Sequence, residues 1–279
     1  MRMTAIVTAA LIRDTFREAF ARKIFWALFG LSTVLIAFFI FLMRIDVVEG
    51  ANATVSLFGH TSGRTTEVRR LVDGAYGGIA TFLYTWAMFL AVFASAGLIP
   101  SILEPGRIEL LLSKPVRRSH ILLGRYAGNI LVVALNSIYL VLAVWIVFGI
   151  KTGIWEQQFL VAILTTVFIF AVLLSIVVLA GVLFDSPAVA TMITVGLMIM
   201  SPILAQTRIM MKLLSSEWSR DAWRIVYYTL PKVYDIGKIT LDIVAGHSAP
   251  EAWMPIWSSA LFGVAMLSAA LFVFSKRNF

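Results

Sequence analysis

EPGRIELLLSKPVRRSHILLGRY, residues 104–126, separates two long apolar runs and organises the rest of the chain. Pro105 suits the first turn of a helix, where its missing N–H costs nothing. Ile108, Leu111 and Leu112 follow at i, i+3, i+4 spacing, so they share one face, opposite Gly106, Glu109 and Ser113. Pro115 ends that helix, and Ser119 is placed to cap a second one that enters the next apolar run from His120 onward. The stretch therefore reads as a short amphipathic helix and a basic turn, Arg117-Arg118, wedged between two spans. A positively charged membrane loop explains the arginines. It does not explain a ridge of three apolar side chains, which points to a docking element.

Composition sets the surroundings of that element. Hydrophobic residues make up 60% of the 279 and charged ones only 14%, with a mean hydropathy of +0.92. A soluble domain carries about 25% charged residues, so the chain is a polytopic membrane protein. Six spans of about 20 residues each leave no room for a nucleotide-hydrolysing domain. No G-x-x-x-x-G-K-[ST] occurs, since Gly237-Lys238 lacks the upstream glycine. Without cysteine, disulfides, thiol catalysis and Cys-based metal sites are excluded. The net charge of +8 fits loops facing anionic lipid better than nucleic acid, for which no compact basic domain exists.

Moving outward along the chain, residues 1–23 carry Leu11, Ile12, Thr15, Phe16, Ala19 and Phe20 on one side of a helix lying in the membrane interface. The apolar run 24–43 is too long for the core of a signal peptide, and Ala51-Asn52-Ala53, which mimics a cleavage site, lies too far downstream. Residues 44–77 read as an outer loop with some short structure, broken by Gly50, Gly59, Gly63 and Gly74. Span two covers 78–103, where Ala87, Ala91 and Ser95 recur every four residues as a smooth packing ridge. Span three covers 121–150, opening on Gly124-x-x-x-Gly128 and holding Asn129 and Asn136, suited to bonds across helices. Trp155 anchors the following turn at the interface. Spans four and five, 159–184 and 188–204, meet at Asp185-Ser186-Pro187, with Asp185 or Ser186 as cap and Pro187 as opener. Residues 205–251 form a second outer loop. Met210, Leu213, Leu214, Trp218 and Ile225 make a helical stripe there, and Glu217, Arg220, Asp221 and Arg224 are spaced to pair, as in a helix resting on the outer surface. Span six covers 252–274.

Methionines 192, 198, 200, 210 and 211 invite a copper-thioether reading, but methionine in apolar helices is mostly gap filler. The histidines at 60 and 247 are isolated in long loops and do not form a metal site. By position, the N-terminus, 104–125, the turn at 185–187 and the tail hold 12 Lys/Arg and 5 Asp/Glu in 53 residues, against 11 and 10 in 89 on the other side. The denser side is expected to be cytoplasmic, which puts both termini there.

The pattern Glu104…Gly106-Arg107…Glu109-Leu-Leu-Leu-Ser-Lys-Pro115…Arg118…Leu123-Gly124 resembles the membrane subunits of ATP-binding cassette exporters of the second, six-span type. Within them it is closest to the permeases grouped with copper-enzyme maturation, including the nitrous-oxide reductase accessory transporter. The resemblance implies an all-α membrane fold in a bacterial or archaeal cytoplasmic membrane. It makes the segment 104–119 a coupling helix seated in a groove of a separate cassette ATPase, with Glu104, Gly106, Arg107, Ile108, Glu109, Leu111, Leu112, Pro115, Arg117 and Arg118 at that contact. ATP and Mg would be bound by that partner, with no cofactor in this chain. A second permease copy, identical or related, would meet this one near spans two and five.

Three functions compete. An ATP-driven exporter subunit accounts for the docking ridge. A membrane enzyme, or an ion-coupled transporter, would need acids, bases or nucleophiles inside the spans, whose cores hold essentially no Asp, Glu, Lys or His. A force transmitter to an extracytoplasmic partner would use the long segment 205–251 instead of a cargo route.

Overall fold

The computed structural model describes residues 13, 17, 20, 23–48, 52–57, 60–61, 66–97, 118–246 and 253–277. Helices dominate, and five of them are long and apolar enough to cross a membrane, namely Arg69–Ala96, Arg118–Thr152, Gln157–Phe184, Pro187–Ala205 and Met254–Lys276. A sixth apolar helix, Phe25–Phe41, is shorter. The chain is therefore an integral membrane protein.

The first apolar run forms α1 (Lys23–Ala37) and a π turn, Phe38–Leu42, and then changes to strand at Met43. Lys151 ends the run by donating from Nζ to the carbonyls of Phe39 (2.6 Å) and Ile40 (2.8 Å), which the helix itself cannot satisfy. Where the sequence suggests an outer loop, a small antiparallel sheet follows. Strand β1 (Met43–Val48) pairs with β2 (Asn52–Leu57) in the register Arg44↔Ser56 and Asp46↔Thr54. Short strands β3 (His60–Thr61) and β4 (Thr66–Glu67) also pair with β2.

The loop ends earlier than the sequence suggests, because helix α2 (Val68–Phe82) starts well before residue 78 and runs through Gly74. Val72, Tyr76, Ile79, Ala80 and Leu83 are buried at helical spacing while Arg69 and Arg70 are exposed. This amphipathic stretch is not apolar enough to read as a span, yet one face is fully packed. A π turn, Leu83–Ala87, then inserts one residue, and Met88 N–H bonds the Leu83 carbonyl five residues back. The buried face thereby steps from Leu83 to Met88 and continues in α3 (Met88–Ala96) as Ala91, Val92, Ser95 and Ala96, so that α2, the π turn and α3 make one rod, the second in the chain after α1.

Helix α4 (Arg118–Thr152) has 35 residues, a rod of about 52 Å. Through a 3₁₀ turn, Gln157–Leu160, it leads to α5 (Val161–Phe184), which is the centre of the bundle. Of the most apolar window of α5, 67% is buried, against 17% for α10 (Met254–Lys276), and α5 packs on α3, α4, α10 and α6 (Pro187–Ala205). Such a helix is apolar all round because no face of it meets water. Between α5 and α6 the reversal is tight. Asp185 takes the left-handed conformation (φ 52°), Ser186 Oγ accepts from Val189 N–H, and Pro187 opens α6.

The segment after α6 is not one surface helix. It divides into α7 (Thr207–Leu213), α8 (Glu217–Thr229) and α9 (Val233–Val244). The stripe from Met210 to Ile225 is interrupted because Leu214 is extended (ψ 115°), and Arg220 Nε donates to its carbonyl (2.8 Å) instead of pairing with an acid. Arg224 and Asp221 do pair, at 3.5 Å. Among the described residues none of α8 is buried, whereas Val233, Ile236, Gly237, Thr240 and Val244 of α9 are.

Candidate functional site

One end of the bundle gathers the termini from which residues 98–117 depart. Those residues, and with them Glu104, Gly106, Arg107, Ile108, Glu109, Leu111, Leu112, Pro115 and Arg117, lie outside the described residues. Their anchor at Arg118 does not. Arg118 starts α4 and its guanidinium donates to the carbonyl of Arg277, just past α10. Arg277 in turn donates to Val182 at the last turn of α5 and pairs both its Nη atoms with the Asp185 carboxylate, Nη1 to Oδ1 at 2.8 Å. Three helix ends are thus tied by two arginines and one aspartate around the place where the 98–117 segment leaves and returns. Two turns into α4 the side chain of Arg125 is only 2% exposed, on the same side as Gly124, Gly128 and Asn129. A lone charge inside an apolar heptad is the signal that marks Arg125 in the sequence, and reading it as loop misses it.

At the opposite end the α8–α9 hairpin turns down between the long helices. Its tip is held by side chains that take up the free N–H groups at the start of α9. Lys232 N–H donates to Ser259 Oγ of α10 and Tyr234 N–H to Ser201 Oγ of α6, both at 2.9 Å. Ser201 and Ser259 lie about 6–8 Å along their helices from Ala205 and Met254, so the tip reaches that far below the helix ends. Gly237 lets α9 approach the π turn of the second rod; a Cβ there would stand 2.9 Å from the Tyr84 ring. Tyr84 is fixed by donating to the Thr165 carbonyl (3.2 Å). Between the second rod, α6 and α9 lies a groove of about 410 Å³ with Thr81, Tyr84 and Phe89 on one wall, Met198 and Pro202 on another, and Lys238 at its edge.

The hairpin also encloses a polar cluster. Lys232 is 2% exposed, donates from Nζ to Ser258 Oγ (3.0 Å) and sits 4.8 Å from the centre of the Tyr227 ring. Tyr227 donates to Asp235 Oδ2 at 2.9 Å. Burial pushes the Lys232 ammonium below its ordinary range, opposed by the nearby Asp235 charge. Burial likewise raises the Asp235 carboxyl, against the Tyr227 hydrogen bond and the charges of Lys232 and Lys238. Tyr227 is raised by the same burial and by Asp235.

Other residues singled out from sequence fall as follows. Ala91 and Ser95 are buried, with Ser95 Oγ donating to the Ala91 carbonyl (2.6 Å), while Ala87, inside the π turn, is half-buried. Gly124 and Gly128 are both buried. Asn136 Nδ2 donates across to Ser32 Oγ of α1 (3.3 Å), whereas Asn129 Nδ2 is buried with no hydrogen-bond partner among the described residues. Met198 is buried, but Met192 and Met200 are 73% and 43% exposed, so these three do not converge. His60 is in β3, and His247 lies outside the described residues.

The family model of the ABC-2 family transporter protein matches residues 9–278, nearly the whole chain. The chain belongs to that family, and is thereby a transmembrane subunit of an ATP-binding cassette transporter that works with a separate ATPase. No curated protein matches it.

Proposed function

We propose that this chain is one permease half of an exporter in which ATP hydrolysis by cassette subunits, with their bound Mg, moves a substrate across the cytoplasmic membrane. No cofactor or catalytic group is assigned to the chain itself. In this reading the membrane is crossed six times, α1 supplying the first crossing, with both termini cytoplasmic. Residues 104–119 seat in the ATPase through Ile108, Leu111 and Leu112, and a second permease copy meets this one along the second rod and α6. The finer kinship, to permeases of copper-enzyme maturation, rests on the sequence pattern around Glu104–Gly124.

The observation that carries this reading is the network of Arg118, Arg277 and Asp185. A push on the 98–117 segment reaches α4, α5, α6 and α10 together through these contacts. The groove walled by Tyr84, Phe89 and Met198 is largely apolar and suits amphiphilic cargo. A second reading, transmission of force to an extracytoplasmic partner, is favoured by α8, whose Trp218 is 80% exposed. Purified chain reconstituted with and without a cassette ATPase tests the proposal. Hydrolysis is expected only in the pair, and robust hydrolysis by this chain alone would contradict it.

A further inference from the structure

A second, smaller groove lies on the outside of the bundle, where α1 crosses α4. Its volume is about 180 Å³, below the 300–1,000 Å³ of a typical small-molecule pocket, so it suits a length of chain better than a whole ligand. Phe25 and Phe29 form one wall with rings stacked 6.4 Å apart, and Leu135, half-exposed, forms the other. The polar floor is quenched internally, because Asn136 is 5% exposed and bonded to Ser32. Phe20 and Trp26 close the end nearest the N-terminus, with Trp26 Nε1 donating to the Phe20 carbonyl at 2.9 Å.

The N-terminal approach to this groove is basic. Arg13, Arg17 and Phe20 are all helical and exposed, and their i, i+4, i+7 spacing puts them on one face. Two guanidiniums thus precede the aromatic mouth by one and two turns, on the N-terminal side of α1. An apolar slot of acyl width, preceded by two arginines, has the polarity of one class of molecule. We propose that it seats one acyl chain of an anionic phospholipid whose phosphate is held by Arg17 and Arg13. Arginine forks match phosphate oxygens, and each basic residue near a membrane surface strengthens such binding several-fold. The bound lipid would fasten the N-terminal segment to α1 and α4 in the leaflet that borders Lys23.

The test uses the full chain in detergent, titrated with phosphatidylglycerol or phosphatidylcholine of identical acyl chains and followed by native mass spectrometry. One phosphatidylglycerol is expected to be retained roughly ten- to thirtyfold better than phosphatidylcholine. The double variant Arg13→Ala/Arg17→Ala should bring that preference down to about twofold or less while still retaining phosphatidylcholine. Leu135→Trp, at a half-exposed position that tolerates bulk, should fill the slot and weaken retention of both lipids. Equal retention of the two lipids by the unaltered chain would overturn the proposal. So would a preference that survives the double variant, retention unchanged by Leu135→Trp, or displacement of the lipid by soluble glycerol phosphate.

Discussion

Lys232 is the residue at which burial and charge are most openly in conflict. Its ammonium is enclosed by Tyr227, Ser258 and nearby Asp235, with its ionisation depressed by burial. For a lysine whose folded pKa lies below the unfolded value of 10.5, the unfolded chain binds more protons between the two values. Stability therefore rises with pH across that window, and Lys232→Met should flatten the rise in Tm measured in detergent. Asp235 behaves in the opposite sense. Its folded pKa is raised above 3.8, so stability falls as pH climbs through the interval just above that value, and Asp235→Asn should abolish the fall. A single glycine offers a separate test of packing. A Cβ on Gly149 would stand 2.5 Å from the Trp155 ring, which also packs edge-on against Trp145 at 4.7 Å. Gly149→Ala should displace Trp155 and cost about 1–3 kcal/mol, visible as a lowered Tm and altered near-ultraviolet dichroism. An unchanged aromatic signal would contradict that geometry.

Helices α8 and α9 decide how the end of the bundle opposite Arg118 is built. Replacing Ser259 by alanine leaves the buried Lys232 N–H without its acceptor, at a cost of about 1–3 kcal/mol, and replacing Ser201 costs less because the Tyr234 N–H is only part-buried. Hydrogen exchange at Tyr234 and Lys232 should accelerate accordingly, and undiminished protection would refute the caps. The same elements mark what a sequence can reveal. Long uninterrupted apolar runs, such as that in α5, announce themselves because the whole circumference is buried. The Ser186 cap and Pro187 were equally legible, being local chemistry. Helix α9 was not, although Val233, Ile236, Gly237, Thr240 and Val244 keep helical spacing, because Lys232, Asp235 and Lys238 make the segment look like a solvated loop. The early start of α2 was hidden in the same way by Arg69, Arg70 and Gly74. In both places, short amphipathic helices pack against spans, and their burial depends on partners remote in sequence: Tyr84 and Ser201 for α9, Phe148 and Phe159 for Tyr76 of α2. The coupling stretch was read from its leucine spacing and its resemblance alone, and 98–117 lies outside the described residues.

On the scale of the molecule, the proposed topology has the Arg118–Asp185–Arg277 end in the cytoplasm and the α8–α9 hairpin outside. With no native cysteine, Ser216→Cys should react with a membrane-impermeant maleimide from outside intact cells and Ser113→Cys should not. The reverse pattern would invert the topology. In the proposed exporter, the segment between α3 and α4 docks an ATPase through the ridge of Ile108, Leu111 and Leu112. Burying a leucine only in the complex makes its loss specific to assembly, and an interface anchor is worth about 2 kcal/mol or more. The direct measurement is co-purification of the cassette ATPase with Leu111→Asp and Leu112→Asp chains that remain inserted in the membrane. The ATPase is expected to be lost from both. Full recovery of the ATPase with coupled hydrolysis in both variants would contradict it.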